Sequence, residues 1–189
     1  MKLLEMKKKV LQLIEEVSTD TKKLTDDPDI EAKMNSVINQ VQNELARMKK
    51  IPAYKEIEVD TNVKNTYDFK DIKGTDENEI YQLDVIRGIE YELKANGTVI
   101  KCLEDGTMEI DYFKYPIAIT KDTDDDEYTF ELSDDALEVM PYGVAADLLK
   151  SDVSNNYGQI YAQRYETMLQ RLDPRYNMGT VYIEGGIEW

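Results

Sequence analysis

The stretch of this chain best equipped for chemistry is "KDTDDDEYTFELSDD", residues 121–135. Asp122, Asp124 and Asp126 alternate as the first carboxylates of an EF-hand calcium loop do. The sixth position of such a loop needs a glycine for its sharp turn, and here it is Glu127. The twelfth should be a bidentate glutamate, and here it is Ser133. The pattern therefore predicts a solvated acidic loop rather than a metal site, because runs of like charge usually face water.

Other chemistries are thinner still. The 189 residues contain no histidine. That removes the commonest general base, the commonest zinc ligand and every Ser-His or Cys-His nucleophilic arrangement. Cys102 lies in an apolar run between two turn signals and reads as a small buried hydrophobe, not a nucleophile. With 39 acidic residues, spacing nominates no particular carboxylate pair for glycoside hydrolysis, and no aromatic cluster marks a sugar cleft. Neither a P-loop nor a GxGxxG stretch is present. Asn96-Gly97-Thr98 fits a glycosylation sequon, but a turn explains it equally well. The sequence thus assigns no catalytic, cofactor-binding or metal-ligating residue.

The totals narrow the partners. A net charge of −16 is repelled by phosphate backbones, so a grip on nucleic acid is not expected, whereas lining a passage for DNA is compatible with it. A single cysteine makes no internal disulfide, which suits a reducing cytosol. No apolar run approaches the roughly 20 residues that span a bilayer, and no membrane partner is expected. The N-terminus, "MKLLEMKKKVLQLIEEV", is broken by charges every few residues, unlike the apolar stretch of a signal peptide.

The elements that would carry any site are well marked. Leu3, Met6, Val10, Ile14 and Val17 fall three or four apart over residues 2–17, an amphipathic helix. "TDDPD" breaks the chain at 25–29 with Pro28 at the start of a second helix. That helix carries Ile30, Met34, Val37, Val41, Leu45 and Met48 and stops at Lys49-Lys50 before Pro52. Residues 1–51 thus form a helical hairpin. From 52 to 132 the period changes to two, with strands expected near 54–60, 66–69, 80–86, 90–94, 98–103, 107–114 and 128–131. Asn96-Gly97 and Asp105-Gly106 are strong hairpin signals within this inserted antiparallel β-rich section. Two further helices, across 133–173, complete a small bundle. Ser133 is the expected N-cap, and Pro141 the expected point of a kink or restart. The fold class is α+β, with 174–189 as an extended C-terminal arm.

Thirteen tyrosines stand against three phenylalanines and one tryptophan. Tyr157, Tyr161 and Tyr165 recur at helical spacing, which fits ordinary packing or a subunit interface, where Tyr is enriched. Gly143, Ala145 and Ala146 would let another helix approach closely. The arm carries Val181, Ile183, Ile187 and Trp189. Such a tail either folds back as an edge strand or inserts into a neighbour, and its apolar composition favours a partner.

The succession of these parts resembles the head–tail connector (adaptor) proteins of tailed bacteriophages. The resemblance rests on "IDYFKYP" at 110–116, an acidic loop, "DDALEVMPYGVAADLLKSD" at 134–152, and the amphipathic "YAQRYETMLQRLD" at 161–173. It implies a structural virion protein of the neck, assembled in the host cytoplasm and without catalysis or cofactor. Such proteins form rings, typically twelve-fold, beneath the portal protein, extending the DNA channel and docking a tail or stopper protein. By resemblance, ring contacts fall on Tyr142, Val144, Leu148, Tyr157, Tyr161 and Tyr165, and portal or neighbour contacts on Val181, Ile183, Ile187 and Trp189. The β insertion departs from the smallest, nearly all-helical members. Two other readings compete: another neck, tail-completion or head-decoration protein, and a carboxylate-dependent hydrolase using a divalent cation.

Overall fold

The computed structural model describes residues 1–20, 23–69, 72, 80–150 and 156–172. Four helices and two antiparallel sheets make the α+β architecture expected from the sequence. The helices are α1 (Leu3–Leu13), α2 (Pro28–Lys49), α3 (Asp134–Leu148) and α4 (Tyr157–Leu169).

Helices α1 and α2 start where their first N–H groups find acceptors. Asp27 caps α2, accepting from the N–H of Asp29 at 2.8 Å and of Ile30 at 3.2 Å, with Pro28 in the first turn. The α1 N–H groups of Leu3 and Leu4 donate to the carbonyls of Tyr128 and Asp125, at 3.1 and 2.9 Å. So the acidic loop serves as the cap of α1. Its carboxylates lie toward the positive end of that helix, and Asp125 also pairs with Lys7 at 2.8 Å. Ser133 occupies the N-cap position of α3, where its carbonyl accepts from Leu137 N–H at 3.0 Å, but its side chain makes no capping bond. Helix α3 runs through Pro141 without the expected restart.

Helix α3 is the hub of the bundle and packs against α1, α2 and α4. Its Met140, Val144 and Ala145 are fully buried with Leu3 and Met6 of α1 and with Ile38 and Leu45 of α2. On α2 the deepest side chains include Ile38, Gln42 and Ala46, while Val37 and Met48 of the expected stripe are half-buried.

The strands are β1 (Ile51–Val59), β2 (Thr66–Asp68), β3 (Ile80–Arg87), β4 (Tyr91–Lys94), β5 (Val99–Cys102) and β6 (Gly106–Lys114). They form two three-stranded sheets, ordered β1-β6-β3 and β2-β5-β4. The two share a second core that includes Ile86, Ile100, Met108, Ile110 and Cys102. Asn96-Gly97 does turn β4 into β5, within a short 3-10 turn at Ala95–Gly97.

Two expectations are corrected. Asp105-Gly106 does not close a hairpin, because β6 has both of its edges occupied, by β1 along its whole length and by β3. The turn instead carries the chain from one sheet to the other, and the Asp105 carboxylate accepts from Thr61 N–H and Oγ1 at 2.7 and 2.6 Å. Residues 128–131 form no strand. Thr129 makes one bridge with Lys2, and Phe130 and Leu132 turn into the helical core with Ile119.

The lobes meet at the end of α2. Tyr81 Oη donates to the Ala46 carbonyl at 3.0 Å and its ring stacks 5.0 Å from Tyr115. Arg47 donates to Tyr115 Oη from Nε at 2.9 Å.

Candidate interaction surface

The aromatic residues singled out in the sequence cluster where α4 lies across α3. Glycine at 143 sets that contact: a Cβ there would stand 2.8 Å from Cε2 of Tyr165, inside van der Waals distance. The small residue thus admits a helix of the same chain, and Tyr165 fills the space. Its hydroxyl donates to Glu44 Oε2 of α2 at 2.9 Å. Burial first, then the Glu44 charge and hydrogen bond, push the Tyr165 phenol well above its ordinary range.

Further up the seam, Tyr161 Oη donates to the Leu13 carbonyl at the end of α1. Burial, then the charge of Glu15, raises its pKa as well. The Tyr142 and Tyr161 rings lie 6.4 Å apart at 42°, and the Arg164 guanidinium sits 4.5 Å from the centre of the Tyr142 ring. Tyr142 also lines a groove of about 460 Å³ together with Lys9, Gln12, Leu13, Glu138, Pro141 and Met168.

These contacts sort the expected ring residues. Val144 is completely buried, and Leu148 and Tyr165 nearly so, all inside the bundle of their own chain. Their assignment as ring contacts is therefore corrected, since a side chain enclosed by its own subunit has no area to offer a neighbour. Tyr142 and Tyr161 are half-buried. Tyr157 remains 52% exposed and is joined by Ile160 at 53%. Val181, Ile183, Ile187 and Trp189 lie outside the described residues.

Helix geometry gives the physical reason for this split, where the four-residue spacing reads as one shared face. Residues four apart advance about 40° beyond a full turn, so Tyr157 and Tyr165 diverge by about 80° and cannot share one buried line. Ile160 was missed because an isoleucine on an amphipathic helix reads as core.

Among the described residues, no three His, Cys, Asp or Glu side chains gather to hold a metal. In the acidic loop, Asp124 Oδ1 accepts from Asp126 N–H at 2.8 Å. Cys102 is buried beside Met108, its sulfur 3.9 Å from the thioether, and burial raises its pKa.

No protein-family model matches this chain, and no curated protein matches it.

What this surface offers is contact. Tyr157, Ile160, Arg164 and Tyr142 supply apolar area, a cation and two aromatic rings.

Proposed function

We propose that the chain is a structural subunit of a phage head–tail connector, a ring component beneath the portal that extends the DNA channel and receives the tail or stopper protein. The observation that carries this reading is the outward face of α4, where Tyr157 and Ile160 are each about half exposed beside the Tyr142–Arg164 pair. Aromatic and Arg side chains are enriched at contact surfaces between subunits. Cyclic assembly uses two different patches of each subunit, and α4 supplies one of them.

Two further features support it. The order of parts, with helices flanking a β section and an acidic loop preceding α3, follows the succession on which the resemblance rests. A charge of −16 suits a conduit through which DNA slides without adhering.

The test is assembly. Mixed with candidate portal proteins, the chain should form rings with a central hole in negative-stain images. Replacing Tyr157 and Ile160 together by serine should lower ring yield while leaving the melting temperature nearly unchanged, because exposed substitutions move stability by only about 0.5 kcal/mol. A chain that stays single in the presence of every portal tried, or rings indifferent to that double substitution, would remove the basis of the proposal.

A further inference from the structure

Strand β4 is anomalous in this fold. All four of its residues, Tyr91 to Lys94, are exposed, and it lies at the edge of its sheet with β5 as its neighbour. Yet Tyr91 and Leu93 stand opposite Cys102 and Ile100, which are buried. Opposed residues of an antiparallel pair point to the same face. Tyr91 and Leu93 therefore belong to the face that forms the β core, and they are still 37% and 48% exposed. The core face of this sheet runs out past its cover.

The backbone of β4 is equally open. Leu103 N–H donates to the Glu90 carbonyl at 2.9 Å, so the even-numbered residues of this stretch turn their N–H and C=O groups toward β5. Tyr91 and Leu93 turn theirs to the outer edge, where no strand among the described residues pairs with them. The other edges are better guarded: β3 is broken by two register shifts, β1 carries Pro52, Lys55, Glu56 and Glu58, and β2 is three residues long.

We propose that β4 pairs edge to edge with β4 of a second copy of this chain, antiparallel, about a twofold axis through Leu93. The register follows from hydrogen bonding and charge. Only an outward-turned residue can meet another outward-turned residue in a hydrogen-bonded position, which excludes an axis between Glu92 and Leu93. An axis through Glu92 would set that carboxylate against its own copy, which is repulsive. An axis through Leu93 lets the two Leu93 residues exchange their N–H and C=O groups and sets Glu92 against Lys94 twice. Within one chain Glu92 and Lys94 already lie 3.7 Å apart on the face opposite Leu93, both about half exposed. The short strand is thus self-complementary, apolar on its core side and charge-paired on the other, which is what an isologous contact requires.

Three to four residues of contact make a weak dimer, well below the roughly 1,200 Å² of a stable interface, so association should rise with concentration. A twofold contact closes at two copies. It is therefore distinct from ring formation and is expected without any portal.

Crosslinking tests it on the full chain. In Leu93→Cys the two sulfurs would meet across the axis, with Cα atoms about 5.5 Å apart, inside the range a disulfide tolerates. Under mild oxidation Leu93→Cys should give a disulfide-linked dimer at least about tenfold faster than Val63→Cys, although Val63 is the more exposed at 83%. Adding Glu92→Lys should cut the yield about tenfold, and adding Lys94→Glu to that should restore it. Equal crosslinking from positions 93 and 63 overturns the pairing. So does a Leu93→Cys dimer that ignores the charge changes. Circular dichroism of each variant confirms that the comparison is among folded chains. Failure here leaves the connector reading untouched, because portal-dependent rings are scored separately.

Discussion

Asn39 and Ile119 exchange two hydrogen bonds: Asn39 Nδ2 donates to the Ile119 carbonyl at 2.7 Å, and Ile119 N–H donates to Asn39 Oδ1 at 2.8 Å. A side-chain amide of α2 thereby stands in for the neighbouring strand that residues 117–120 lack. The same face of α2 continues the pattern. Asn35 Nδ2 donates to the Thr120 carbonyl at 3.1 Å, and fully buried Gln42 donates to the Ile117 carbonyl at 3.2 Å. Tyr128 Oη closes the group, 2.7 Å from that same carbonyl. Three amides at i, i+4 and i+7 thus bind the segment that leads from the β lobe back to the bundle.

Asn39 Oδ1 also accepts from Gln42 Nε2 at 2.8 Å. Asn39→Ala should consequently destabilise the protein by about 2–3 kcal/mol, from three lost hydrogen bonds and a buried N–H left without an acceptor. Asn39→Asp keeps the acceptor for Ile119 N–H but sets a charge against its carbonyl, so it should not rescue. Urea unfolding checks this: the midpoint should fall with the slope unchanged.

Lys114 and Glu131 supply a second tie between β6 and the returning chain. Lys114 Nζ lies 2.6 Å from Glu131 Oε1 with its side chain only 9% exposed, while Glu131 Oε2 accepts from Ile117 N–H at 3.1 Å. Glu131→Ala removes the carboxylate that holds Lys114 Nζ and accepts from Ile117 N–H and should cost about 2 kcal/mol, whereas Glu131→Leu combined with Lys114→Met should cost markedly less. A double-mutant cycle measured by thermal melting reads the difference. Additive costs would mean that the pair is too hydrated to count.

The buried tyrosines set an alkaline limit. Burial, opposed by the Gln42 hydrogen bond and helped by the Glu131 charge, pushes the Tyr128 phenol up to about 12, and Tyr165 is raised further. An unfolded tyrosine titrates near 10. Between those values the unfolded chain releases a proton that the folded chain keeps. The stability these groups contribute is complete below about pH 10 and is lost as pH rises toward 12. Stability measured across that window should therefore fall, and Tyr128→Phe and Tyr165→Phe should each make the fall shallower. Tyrosinate absorbance should show the Tyr128 and Tyr165 phenols among those that ionise only with unfolding.

Much of this architecture is written in local pattern. The α1 and α2 stripes, the Asp27-Pro28 start and the Asn96-Gly97 turn each rest on residues within a few positions of one another, so short-range physics decides them. What local pattern does not contain is which edge of a strand is taken. The Asp105-Gly106 turn has every feature of a hairpin, yet β1, far earlier in the chain, occupies the edge of β6 that β5 would need. The contact surface was half legible for a similar reason. The tyrosine spacing of α4 is plain, but only the placement of Gly143 opposite Tyr165 shows that this ring turns inward while Tyr157 turns out. The amides of α2 were illegible altogether, because Asn and Gln on a helix ordinarily face water.

Gly88 offers the sharpest test of how the two cores depend on each other. It joins β3 toward β4 with φ +87°, in the region glycine favours, and a Cβ there would stand 2.2 Å from the Thr107 carbonyl oxygen of β6. No side chain can yield, because the obstacle is backbone held in the β1-β6-β3 sheet. Gly88→Ala should cost about 3 kcal/mol or more, from the positive φ and the displaced strand together. The loss should fall first on the β core of Ile86, Ile100, Met108 and Ile110, which is separate from the core around Met140. Hydrogen exchange should accordingly quicken at amides of β4, β5 and β6 while those of α2 and α3 keep their protection. Uniform acceleration through both lobes would mean that the Tyr81, Arg47 and Lys114 links fuse them into one cooperative unit.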